Sequence, residues 1–187
     1  IYFFYAIHQF YQKLLSTFGI LKSKTMKKTL LIISVITLVV TSCNFSAGTK
    51  ADLVSGLSSS WNGLSAETIY FVDQEDQSIA NKQVSWNTEC SFVFEGISNY
   101  TLKDGNAFPG ITLTVTDPSG AEVVAFDDML ASYTEGVSPT DAGVLRATLT
   151  VGDPMKVGET YTVTARVFDK QNAEAEIVSK VSVKVVE

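Results

Sequence analysis

The sequence predicts an all-β domain, an antiparallel β-sandwich of about seven strands with one or two short helical turns. Three observations carry that expectation. Apolar residues recur at every second position in several separate segments. The intervening positions of those segments hold Thr, Ser, Lys or Arg, so each strand has one buried and one wet face. Turn-forming residues separate the segments at strand-like intervals.

Taken in order, the first strands are short, at Thr68 to Val72 and Glu89 to Gly96. In the second of these Cys90, Phe92 and Phe94 share one face, which makes the cysteine a packing residue. Ile111, Leu113 and Val115 then alternate with Thr112, Thr114 and Thr116. A strand at Glu122 to Phe126 follows, joined to the previous one by Asp117-Pro118-Ser119-Gly120, where Pro fixes φ and Gly tolerates a positive φ. Leu145 to Val151, Tyr161 to Val167 and Val181 to Val185 complete the set, the last two linked through Asp169-Lys170-Gln171-Asn172. Between Asp127 and Gly143 the pattern loses its two-residue period. There Asp127 to Tyr133 reads as helical, and Ser138-Pro139-Thr140-Asp141 places a capping serine before a proline and an acid three positions on.

The 187-residue chain has a formal charge of −6, unevenly distributed. Residues 1–42 hold five lysines and no acid, so the rest carries nine basic against twenty acidic groups, a balance of −11. That charge repels a phosphate backbone and excludes a nucleic-acid partner. Beyond Cys43 there is no histidine and one further cysteine, Cys90. Histidine-based triads, histidine-ligated metals and cysteine-cluster metals therefore have no ligands to use, and no cofactor is expected.

Met26-Lys27-Lys28 followed by the apolar run Thr29 to Val40 is a basic n-region and a short h-region. Twelve residues rise about 18 Å as a helix, short of a roughly 30 Å hydrocarbon core. The run ends in Val40-Thr41-Ser42-Cys43, which resembles the lipobox of bacterial lipoproteins. The resemblance implies cleavage before Cys43, a diacylglyceryl group on its thiol and a further acyl chain of the palmitate kind on its amine. Several chains anchor stably where one does not. It also implies an outer-membrane destination, because Asn44 replaces the aspartate associated with inner-membrane retention. Residues 1–25 read as translated upstream sequence or an extended n-region, 26–42 as signal peptide, and 43–66 as a lipidated N-terminus and flexible tether rich in Ser and Gly.

Residues 67–187 form the expected sandwich. Gly158-Glu159-Thr160-Tyr161-Thr162-Val163, Val167-Phe168-Asp169-Lys170 and Val181-Ser182-Val183 resemble bacterial extracellular Ig-like or fibronectin-type modules, without the cysteine pair of antibody domains.

Candidate ligand contacts are Trp61, Trp86, Tyr100 and Tyr133, whose rings can stack on sugars or anchor a protein. Asp73, Glu75 and Asp76 in one loop, with Asp127 and Asp128 in another, are weak calcium candidates; acids that open turns are already explained by hydrogen bonds to backbone. No metal is assigned. The expectation is a non-catalytic, lipid-anchored envelope module that contacts the membrane through its anchor and binds a protein. The alternatives are a carbohydrate-binding accessory lipoprotein and a calcium-stabilised structural module.

Overall fold

The computed structural model describes residues 47–52 and 55–187. The segments 1–25 and 26–42 and the lipobox Cys43 lie outside the described residues. Ten strands occur in the compact unit Phe45–Glu187. They are β1 Ala47–Ala51, β2 Ser58–Asn62, β3 Thr68–Asp73, β4 Gln83–Ser85 and β5 Glu89–Glu95, then β6 Pro109–Thr116, β7 Glu122–Phe126, β8 Val144–Thr150, β9 Thr160–Asp169 and β10 Asn172–Val186. One sheet of seven strands runs β1-β2-β10-β9-β6-β7, with β4 joined to the end of β10, and faces a sheet of three, β3-β5-β8. All neighbours are antiparallel except β4 and β10, which run parallel. The chain thus leaves the small sheet after β3 and joins the large one at β4, and the two sheets make a β-sandwich.

The core follows from the alternation. Ile111, Leu113 and Val115 of β6 lie beside Val167, Ala165 and Val163 of β9, and all six are fully buried. The small sheet answers with Phe71, Phe92 and Phe94, the first two rings 4.9 Å apart and tilted by 53°. Burying each such side chain contributes about 1.5–3 kcal/mol.

All seven expected strands are present, and three more were not foreseen. The flexible tether over 43–66 is a correction: β1 and β2 belong to the large sheet, so the sandwich starts by residue 47 and not at 67. Their sequences, AGTKA and SSSWN, carry no apolar period because their place is set by the β1–β2 and β2–β10 ladders and by Trp61, whose indole lies over Gly48. The last strand is also longer than its valine run, because Ser179 occupies a core-facing position and meets Ser59 of β2 hydroxyl to hydroxyl at 2.8 Å.

The two hairpins form as expected. Asp117 Oδ1 accepts the Ser119 and Ala121 amides at 2.8 and 3.0 Å, and Gly120 takes φ +87°. Between β7 and β8, Asp127 to Tyr133 makes turns, not the helix its composition favours. A single 3₁₀ turn, Asp141–Gly143, follows Ser138, whose Oγ accepts the Asp141 amide at 3.1 Å and donates to its carboxylate at 2.8 Å. Among the described residues no helix is long and apolar enough to cross a membrane.

Candidate functional site

The strand registers define two ends of the sandwich. Ala47, Asn62, Glu176, Phe168 and Gly110 form one row across the large sheet, and the β9–β10 turn projects just beyond it. The loops between β2 and β3, β5 and β6, and β7 and β8 gather at that end, called here the N-terminal end. The β3–β4, β4–β5, β6–β7 and β8–β9 connections gather at the other.

The acidic candidates divide between the two. Asp73, Glu75 and Asp76 occupy the β3–β4 turn at the far end. Asp73 Oδ1 accepts the amides of Glu75 and Gln77 at 3.0 and 2.8 Å, Glu75 accepts from Gln74, and Asp76 pairs with Arg146. Asp127 and Asp128 lie at the N-terminal end. There Asp128 accepts the amides of Leu130 and Ile111 at 3.0 and 3.2 Å and pairs with Lys170 at 2.6 Å. Partial burial pushes the Asp128 carboxyl up, but hydrogen bonds from Lys170 and the two amides, with the lysine charge, hold it below the usual carboxylate range. Among the described residues no three His, Cys, Asp or Glu side chains are grouped to hold a metal ion. The structure therefore does not bring the five calcium candidates together. A depression of about 460 Å³ at the far end, lined by Asp73, Glu75, Asn81, Ser85, Thr88 and Glu89, is polar and open.

The aromatic candidates are scattered too. Trp61 packs on the core beside Gly48, Trp86 sits at the far end with its amide on Val186, and Tyr100 is half-buried with its hydroxyl donating to Ala142 at 3.3 Å. Burial, and secondly the charge of Asp169, push the Tyr100 hydroxyl well above its ordinary pKa. Tyr133 alone is freely exposed, at 50%. The four rings form no coplanar row, since Trp86 and Tyr133 lie at opposite ends.

Cys90 is 1% exposed, and its thiol, pushed up to about 12 by burial and then by Glu89, points its Sγ at the Leu149 carbonyl, 3.8 Å away. It is a core residue and not a nucleophile at neutral pH.

The sequence pattern did not single out two surface features. Leu102 and Met129 are exposed in loops of the N-terminal end, as is Tyr133. They are lone apolar residues in polar loops, with no period to mark them. The other is the outer edge of β7, a strand paired only with β6. Its sequence, EVVAF, holds one charge and no lysine or proline, and that composition was the available signal.

No protein-family model matches the chain, and none of the curated proteins compared with it matches. Among solved structures it is similar to the C-terminal domain of wzt, with TM-score 0.48 and 10% identity over 78% of this chain and 80% of that one. It is also similar to a superoxide reductase (neelaredoxin) from Ignicoccus hospitalis, with TM-score 0.34 and 11% identity over 64% and 81%. A third is chicken MD-1 complexed with lipid IVa, with TM-score 0.31 and 12% identity over 75% and 99%. With all three TM-scores below 0.5, none carries functional weight.

Proposed function

We propose that this chain is a lipid-anchored binding or assembly module of the bacterial cell envelope. It is held on the outer membrane through acylated Cys43, works without catalysis, and recognises a protein partner by pairing with the free edge of β7. The observation that supports this is the edge itself. Glu122–Phe126 hydrogen-bonds to β6 on one side only, which leaves a row of amides and carbonyls open to an incoming strand. Natural edge strands are often blunted by lysine or proline, and β7 has neither; its one irregularity is the register shift opposite Val115 and Thr116, at the end nearest the β6–β7 turn. Three other edges compete: β1 carries Lys50 and is mostly Gly, Ala and Thr, β8 carries Arg146, and β3 is partly covered by its own following turn, where Ile79 donates to the Phe71 carbonyl and Ser78 bridges Val72.

The test is site-specific photo-crosslinking in cells from residue 122, with mass spectrometry of the adduct and of the N-terminal peptide. One reproducible adduct that disappears in Ala125→Lys, together with an acylated Cys43, supports the assignment. An adduct unchanged by Ala125→Lys removes the β7 edge from it, and an unmodified Cys43 removes the anchor.

A further inference from the structure

Three exposed apolar side chains stand in the loops at the N-terminal end of the sandwich. We propose that Leu102, Met129 and Tyr133 form a second, interfacial membrane contact that works with the lipid on Cys43 to stand the domain end-on on the membrane. This inference rests on the lipoprotein assignment made above and deepens it by naming the surface that touches lipid.

Chain length chooses the occupant. Only Asn44, Phe45 and Ser46 separate Cys43 from Ala47, and β1 starts there. Four residues span at most about 14 Å even when fully extended. With β1 held in the large sheet by β2, the lipid lies within that distance of the corner of the domain marked by Ala47. A tether of some twenty residues would leave orientation free; this spacing does not.

The same corner belongs to the end where the exposed apolar side chains collect. Ala47 is level with Asn62, Glu176, Phe168 and Gly110, and the Asp169–Asn172 turn projects from that row. The loops bearing the three residues are fastened to this turn. The Thr101 amide donates to Asp169 Oδ2 at 2.7 Å, the Lys170 ammonium donates to the Leu130 carbonyl at 2.8 Å, and the Tyr133 amide donates to that same carbonyl at 3.1 Å. Leu102, Met129 and Tyr133 are 51, 39 and 50% exposed. From β1 to β6 the sheet is about 19 Å wide, four strand spacings, so anchor and patch reach a plane together when the domain stands on this end. Leucine, methionine and tyrosine suit a shallow insertion, with the phenol at headgroup level. Asp104, Asp127 and Glu135 each stand two residues from one of them along the chain and outnumber Lys103, so the contact favours zwitterionic over anionic lipid.

The experiment uses the full lipoprotein in phosphatidylcholine vesicles, with a nitroxide at Leu102→Cys, at Tyr133→Cys or at Val157→Cys. Val157 is a similarly exposed apolar residue at the far end, and the buried Cys90 stays unlabelled. Mass spectrometry of the N-terminal peptide accompanies each sample. With Cys43 acylated, labels at 102 and 133 are expected to be shielded from a water-soluble relaxant several-fold more than the label at 157. Equal relaxation at all three sites with Cys43 acylated overturns the docking while leaving the anchor intact. Shielding at 102 and 133 that occurs in cell envelopes but not in protein-free vesicles assigns the patch to a protein and also overturns it. An unmodified Cys43 overturns both the anchor and the docking.

Discussion

Lys170 and Asp128, forty-two positions apart, form an ion pair at 2.6 Å that ties the β9–β10 turn to the segment leaving β7. Each partner is engaged further: Asp128 accepts two backbone amides, and Lys170 donates to the Leu130 carbonyl. Both side chains are about one-quarter exposed or less. The pair and the Ile111 amide tie Asp128 to the β9–β10 turn and to β6, so tertiary contacts override the helix that the composition of residues 127–133 favours.

Asp128→Asn should lower stability by about 1 kcal/mol, roughly 3 °C in Tm, at neutral pH. The sign of its pH dependence follows from the depressed carboxyl. A group whose folded pKa lies below its unfolded value of about 3.9 contributes fully above that value and loses its contribution as pH falls through the folded pKa. The Tm gap between parent and variant should thus be constant above about pH 5, begin to narrow below about pH 4 and close only as pH passes the lowered folded value. A gap that does not narrow at all between about pH 5 and about pH 2 would show that the loss is one of packing and not of charge.

Trp61 and Gly48 give a direct reporter for the N-terminal hairpin. A Cβ at Gly48 would overlap the indole, so Gly48→Ala should push the ring out and cost about 1–3 kcal/mol locally. The expected outcome is a red shift of tryptophan emission and faster proteolysis before residue 58, with little change in the melting of the core. Unchanged emission would return residues 47–62 to the flexible tether that their composition describes.

What the sequence could reveal depended on whether side chains or backbone set the position of each element. The β5, β6, β8, β9 and late β10 alternations survive because buried Phe, Leu, Ile and Val must share a face. The β1–β2 hairpin and the first half of β10 were not legible, since Ser58 to Ser60 and Ser179 contribute hydroxyls where a pattern search wants apolar groups. The candidate site was less legible still. Turn acids such as Asp73 and Asp117 were correctly weighed as backbone acceptors. The β7 edge and the Leu102, Met129 and Tyr133 grouping, by contrast, depend on which strand ends a sheet and which loops share an end.

Cys90 should be inert in the native state. At pH 8 a thiol pushed up to about 12 holds roughly a thousandfold less thiolate than an ordinary cysteine, and the Sγ is also out of contact with solvent. In a Cys43→Ser chain, labelling by an aromatic disulfide reagent should be negligible until denaturant is added and should then follow the unfolding curve. Stoichiometric labelling within minutes under native conditions would mean that the β5–β8 pair opens readily.

Ser59 and Ser179 make the sharpest energetic prediction, because each is the other's hydrogen-bonding partner in a buried setting, at 7 and 0% exposure. Replacing one leaves a buried hydroxyl unsatisfied, which costs about 1–3 kcal/mol, whereas replacing both removes the need for the bond altogether. Ser59→Ala and Ser179→Ala should each lower the denaturation midpoint, and the double variant should recover most of the loss. The coupling read from that cycle should exceed about 1 kcal/mol. Additive losses would mean that β2 is held to β10 by its ladder alone and that water reaches the hydroxyls, which would loosen the hairpin on which end-on docking depends.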